Sequence, residues 1–160
     1  MKLRTEKIYL PVWLRVIIIG APIITVFIVL SRERAESGSV SMSSLVGPLI
    51  FTALMIPMGF AAHWAEFTDK KVRLRWAPIY SSRIDRTSIT SWSVSEGAVS
   101  PWKYGGIGLR LASRGTLALV NRKGRVLELE TSENRRYAIV LADDNEVSMV
   151  RRELSLMKRS

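Results

Sequence analysis

Lys71, Arg73 and Arg75 stand at alternate positions with Lys70 beside them. Alternate residues of a β-strand share one face, so this spacing projects three cations together. Such a face suits anionic headgroups, the chemistry of lipid-headgroup contact. The rest of the chain offers little for catalysis. It has no cysteine, which excludes thiolate nucleophiles and disulfides, and one histidine, His63, which cannot form a metal cluster. No Ser-His-Asp set, P-loop or HExxH pattern is evident. Asp143-Asp144 could imitate paired carboxylates, but Asp143 lies three residues before Glu146, as in a helix capping box. Gly105-Gly106-Ile107-Gly108 leads into a strand rather than a helix, so it is not a nucleotide loop. The expectation is a non-enzymatic protein with no catalytic residue, cofactor or metal.

A second cluster, Trp102-Lys103-Tyr104, sits in a Pro/Gly-rich loop, where it could dip into headgroups or dock on a protein partner. Trp92 alternates with Val94 and reads as core.

These groups must be positioned by two unlike halves. Leu45 to Trp64 contains no Asp, Glu, Lys or Arg, and the basic run from Lys70 follows. About 20 apolar residues cross a bilayer as a helix. An earlier block, about Tyr9 to Leu30, makes a first span. Arg15 lies one turn inside its start, where it can snorkel, and Tyr9, Trp13 and Trp64 suit interfacial belts. Gly47, Gly59, Ala61 and Ala62 could permit close helix contact. His63 falls at the end of the second span, either as an interfacial polar residue or as an intramembrane functional group. A signal peptide is the rival for the first span, with Lys2, Arg4 and Lys7 as its basic region; Ser31-Arg32-Glu33-Arg34, not a small-x-small site, follows Leu30. The linking segment, Ser31 to Ser44, balances Arg32 and Arg34 with Glu33 and Glu36, whereas both flanks are basic. Positive residues mark the cytoplasmic side. The predicted layout is therefore a transmembrane hairpin over 1–65 (spans 9–30 and 45–64) with both termini cytoplasmic, then a cytosolic domain over 66–160, in the cell (plasma or inner) membrane.

The net charge is +10 and the pI about 10.5. Nucleic acid, anionic lipid and acidic protein could each answer that charge. The basic residues are spread over the domain and also orient the spans, which disfavours nucleic acid.

After Phe67 the apolar period changes to two: Val72, Leu74 and Trp76 alternate with Lys71, Arg73 and Arg75. Further strands are predicted at Tyr80–Ile84, Ser88–Val94, Ile107–Ala112, Thr116–Val120, Arg125–Thr131 and Arg136–Leu141. Asn121-Arg122-Lys123-Gly124 reads as a hairpin turn. Val147, Val150, Leu154 and Met157 recur at helical spacing behind the Asp143 cap.

This order resembles the pleckstrin-homology (PH) fold. The resemblance is carried by Tyr104-Gly105-Gly106-Ile107-Gly108-Leu109-Arg110, by Gly115-Thr116-Leu117-Ala118-Leu119, by Gly124-Arg125-Val126-Leu127-Glu128-Leu129 and by the helix opened at Asp143-Asp144. The whole chain is similar to small bacterial membrane proteins in which a PH-like domain follows two spans. The fold implied is a membrane α-helical hairpin plus an α+β, mainly-β PH-like domain: about seven antiparallel strands in a sandwich or open barrel with a C-terminal capping helix. The function implied is a membrane-anchored binding or scaffolding module, an accessory subunit or adaptor docking a membrane-protein partner. The alternative is a module that senses the anionic cytoplasmic leaflet through Lys70, Lys71, Arg73 and Arg75. Eukaryotic PH domains bind phosphoinositides through a basic cluster near their first strands; here the cations crowd next to the span. Whether the chain forms homo-oligomers stays open.

Overall fold

The computed structural model describes residues 3–156. Two compact units emerge: Leu10–Ala61, and the N-terminal segment through Tyr9 together with the chain from Ala62 onward.

The first unit is a helical hairpin, α1 (Val12–Ser37) and α2 (Met42–Gly59). Both helices are long and apolar enough to cross a membrane. Their apolar side chains, among them Ile17, Ile24, Phe27, Leu49, Ile50 and Leu54, are exposed rather than packed into a protein core. That distribution is what a helix solvated by hydrocarbon requires. α1 runs through the predicted link as far as Ser37. Arg32 and Glu36 pair one turn apart there, Gly38 ends the helix in the left-handed conformation (φ 71°), and Ser41 caps α2. Gly59 is where the helices meet: a Cβ there would fall 2.5 Å from Ile19 Cγ1. Gly47, by contrast, faces open space. Arg15 donates from Nε to the Gly59 carbonyl at 3.1 Å, satisfying an orphan acceptor at the α2 C-terminus.

The second unit holds two five-stranded sheets and a helix. In the first sheet β1 (Leu3–Arg4) and β2 (Ile8–Tyr9) both pair with β3 (Ala62–Phe67), followed by β4 (Lys71–Ala77) and β5 (Tyr80–Asp85). The second runs β6 (Ile89–Val94), β9 (Val126–Thr131), β10 (Arg136–Val140), β8 (Thr116–Val120), β7 (Gly108–Ala112). The C-terminal helix α3 (Asp144–Ser155) is capped by Asp143, whose Oδ1 accepts the Glu146 N–H at 2.8 Å, and it buries Val147, Val150 and Leu154. Met157 lies outside the described residues.

The sequence-based layout differs at several points. The second helix stops at Gly59, so His63 and Trp64 belong to a strand rather than a span. The segment before α1 is built into the first sheet: Thr5 and Ala65 exchange hydrogen bonds, and Glu146 accepts the Glu6 N–H. There are ten strands rather than about seven among the described residues, and β8 pairs with β10 in parallel. Asn121–Gly124 is therefore no hairpin turn, because β10 lies between the strands it joins. Gly124 serves close approach instead, since a Cβ would meet Val140 Cγ2 at 2.7 Å. The coarse layout holds: two apolar helices, then mostly antiparallel sheets and a C-terminal helix.

Candidate functional site

The strand alternation read at Lys71–Arg75 is realised in β4, where Val72, Leu74 and Trp76 are buried and the cations face outward. Register adds neighbours that sequence spacing could not supply. Glu66 lies opposite Arg73, Trp64 opposite Arg75, Arg83 opposite Arg73 and Arg4 opposite Glu66. Trp64 is the hub: the Arg4 and Arg75 guanidinium carbons stand 5.0 and 5.7 Å from its ring centroid, and Lys7 Nζ 5.3 Å. Such cation–π contacts hold long flexible cations in place and bury the indole beneath them. The Trp64 Nε1–H donates to Glu66 at 3.0 Å, and Glu66 Oε2 lies 3.8 Å from both Arg73 and Arg75. Burial acts most strongly on the Glu66 carboxyl and pushes it up, but the Trp64 bond and Arg75, Arg4 and Arg73 together hold it below the usual carboxylate range. Lys71 pairs with Asp85 at 3.5 Å. Lys70 is exposed in the β3–β4 turn. Arg83 has no partner among the described residues, and it faces a like charge, Arg73. The predicted lipid-contact residues are thus brought to one region, and Arg4, Lys7, Trp64 and Arg83 join them.

Behind this face lies a buried polar network. His63 Nε2 is 3.2 Å from the Val140 carbonyl, so the neutral ring donates there. Asn121 accepts the Trp76 indole N–H at 3.2 Å and donates to the Ile8 carbonyl at 2.8 Å. These bonds join β2, β3 and β4 to the second sheet. Burial lowers the His63 pKa to about 4, against the Val140 carbonyl and the Asn121 side chain, which favour the charged ring; Arg122 acts with burial. His63 is accordingly a neutral structural donor, and Asn121 is a fully buried staple.

The Trp102-Lys103-Tyr104 cluster forms a 3-10 turn, Pro101–Tyr104. Its members play different parts. Tyr104 is buried in one apolar cluster with Ala118, Val120, Val126 and Ala138. Its hydroxyl donates to Glu128 at 2.5 Å. Burial, then the Glu128 contact, pushes the phenol pKa up. Lys103 stands 3.7 Å from the same carboxylate. Trp102 is 78% exposed. Gly105 and Gly106 turn the chain with φ of 86° and 119°, and Trp102 and Arg110 both approach Gly106.

The same turn walls a cleft of about 610 Å³ on the second sheet, with Glu128, Glu130, Arg136 and Arg114 along it. Sequence reasoning missed this cleft because its charges lie on four separate elements. Among the described residues no group of three or more His, Asp and Glu side chains could hold a metal. No protein-family model matches the chain, and no curated protein does.

Proposed function

We propose that this chain is a non-enzymatic, membrane-anchored module whose PH-like β unit docks a protein partner at the cytoplasmic membrane face. The observation that carries this reading is Trp102, which is exposed on a turn anchored by the buried Tyr104 ring and its bond to Glu128. Tryptophan on a backbone already ordered is the residue type that dominates interface energetics. Anchoring follows from the apolar helices and orientation from the basic flanks around them. Only two residues separate Tyr9 from Val12 and two separate Gly59 from Ala62, so the tethers are short. Two sheets ending in a C-terminal helix support PH-likeness; the parallel β8–β10 pair departs from a seven-strand antiparallel plan. The test is extraction of the full chain in mild detergent. A stoichiometric companion should co-purify, and Trp102→Ala should remove it while the fold persists. A companion held equally by the variant would overturn this assignment.

A second reading is favoured by the first sheet's outer face, where cations outnumber carboxylates. It assigns that face to an anionic leaflet, at about 1 kcal/mol per basic residue near the surface. Full-length protein in phosphatidylcholine nanodiscs should then bind phosphatidylglycerol vesicles in a salt-dependent way. Binding that survives replacement of Lys71, Arg73 and Arg75 by Ala would sink it.

A further inference from the structure

The cleft on the second sheet is used by neither reading above. Strand register explains its shape. Thr116, Arg136, Glu130 and Ser91 form one row across β8, β10, β9 and β6. The next row is Ala118, Ala138, Glu128 and Ser93. The two alanines leave room for the Tyr104 ring, which packs in their cluster, and Lys103 and Tyr104 rise as one wall. The β7–β8 turn, bearing Ser113 and Arg114, forms the other.

Most of the hydrogen-bonding capacity on the floor is already used. Glu130 accepts two bonds from Arg136, at 2.9 and 2.8 Å, and one from Ser91 at 3.2 Å. Glu128 receives Tyr104 and Lys103 on a single oxygen, Oε1, which leaves Oε2 free among the described residues. On the turn side the opposite chemistry is unspent. Arg114 has no ion-pair partner among the described residues, and the Ser113 and Thr116 hydroxyls donate to no protein group there. Arg114 also sits at φ 58°, ahead of Gly115 at φ 70°. Hairpin turns of that conformation ordinarily take Asn, Asp or Gly at this position, so an arginine stands where local geometry disfavours it.

The cleft thus has an unpaired cation with two hydroxyl donors at one end. The carboxylate with the unsatisfied oxygen, Glu128, lies two strand spacings across and one row along, roughly 12 Å between backbones, a gap that the long side chains narrow. Its charges, three cations (Lys103, Arg114, Arg136) and two carboxylates (Glu128, Glu130), nearly balance. A polyanion would meet the two carboxylates and be repelled, whereas one anionic group can be met by Arg114 alone. We propose that this cleft binds a small anion that also carries a hydroxyl or ammonium group. The anionic end lies on Arg114, Ser113 and Thr116, and the donor end on Glu128. A free phosphomonoester and a lipid headgroup share this chemistry, and the volume falls within the range of small-molecule sites.

Glycerol 3-phosphate is a suitable probe, titrated into full-length ¹⁵N-labelled protein in phosphatidylcholine nanodiscs. Saturable amide shifts are expected at Ser113–Thr116 and around Ser93 and Glu128, with none from glycerol. Arg114→Gln should weaken binding at least tenfold, and Glu128→Gln about threefold or more. Nanodiscs made with phosphatidylglycerol and no added phosphoester decide the source. The same shifts, lost in Arg114→Gln, identify the lipid headgroup; their absence there, with the soluble probe still binding, identifies a free phosphoester. Shifts confined to Lys71–Arg75, affinity unchanged in Arg114→Gln, or no saturable response in either arm overturns the proposal.

Discussion

Among the described residues the outer face of the first sheet sets Arg4, Lys7, Lys71, Arg73, Arg75 and Arg83 against Glu66 and Asp85, whereas the cleft on the second sheet sets three cations against two carboxylates. On the first face Glu66 lies between Arg73 and Arg75, a tryptophan ring steadies three cations, and much positive charge remains uncompensated. Its field is broad and suits any anionic surface. On the second, Glu130 closes on Arg136 and Glu128 on Tyr104, so recognition falls to a few uncommitted atoms. One unit thus carries an unselective electrostatic face and a geometrically selective one. Salt should weaken the first far more than the second, because exposed charges are screened within about 10 Å at 0.1 M.

The two faces are joined through the buried Asn121, which bonds both Trp76 and Ile8 of the first sheet. Asn121→Leu breaks that joint and should have the largest effect. It strips the Trp76 indole and the Ile8 carbonyl of their partners in a fully buried site. The expected destabilisation is about 2–4 kcal/mol, read from thermal unfolding in detergent. Both faces should lose their ligands together; survival of either alone would show that the sheets fold independently.

Acid loads the same joint. His63 titrates at about 4 when folded and near its ordinary 6.5 when unfolded. Between those values the unfolded chain binds the proton and the folded chain does not. Stability is therefore full above pH 6.5 and falls as pH drops toward 4, by about 3 kcal/mol at most. Glu146 runs the other way: burial raises its pKa, so the folded state gains from its protonation as pH falls. The net loss should be steepest between pH 6.5 and 5 and largely absent in His63→Gln. An unchanged profile in that variant would assign the acid sensitivity elsewhere.

How legible each region was in the sequence follows the same division. β4 was readable because Val72, Leu74 and Trp76 alternate with charge, the mark of a strand wetted on one face. β3 was not. Its residues Ala62, His63, Trp64 and Ala65 are buried on both faces, so alternation vanishes and the stretch continues the uncharged run of α2. Two-residue strands such as Leu3–Arg4 carry no period at all. Lys71, Arg73 and Arg75 were found as a local pattern, but Arg4 and Arg83 reach them only through register. Asn121 and Gly124 have the composition of a turn, and nothing local announces that a strand from the far end of the chain fills the gap between their neighbours. The cleft was unreadable for that reason: its rows exist only once β10 is inserted.

On the first face, the charge imbalance can be tuned in both directions. Replacing Arg73 by Ala should weaken attachment to phosphatidylglycerol vesicles by about 1 kcal/mol, roughly fivefold. Glu66→Gln should strengthen it by a similar factor, since it removes a carboxylate from the midst of the arginines. Arg114→Gln should leave vesicle attachment through that face almost unchanged. If it flattened the salt dependence of attachment as much as Arg73→Ala does, the two faces would not be the separate devices their charge patterns imply.

The smallest stability effect is expected at the turn that borders the cleft. Trp102 and Tyr104 are two residues apart and face opposite environments, one exposed and the other packed against Ala118 and Ala138. Tyr104→Phe keeps the ring but removes the donor to Glu128, which should cost about 1–2 kcal/mol for a bond to a charged acceptor. Freed of that bond, the carboxylate can engage Lys103 alone, so the wall of the cleft loosens while its charge balance is kept. Trp102→Ala should change stability by less than about 0.5 kcal/mol, as for other exposed positions. Partner retention should show the reverse order, with Trp102→Ala losing it and Tyr104→Phe weakening it only through the looser turn. Were Trp102→Ala to destabilise the fold as much as Tyr104→Phe, the indole would be part of the packing around Gly106, and its exposure would no longer mark a docking surface.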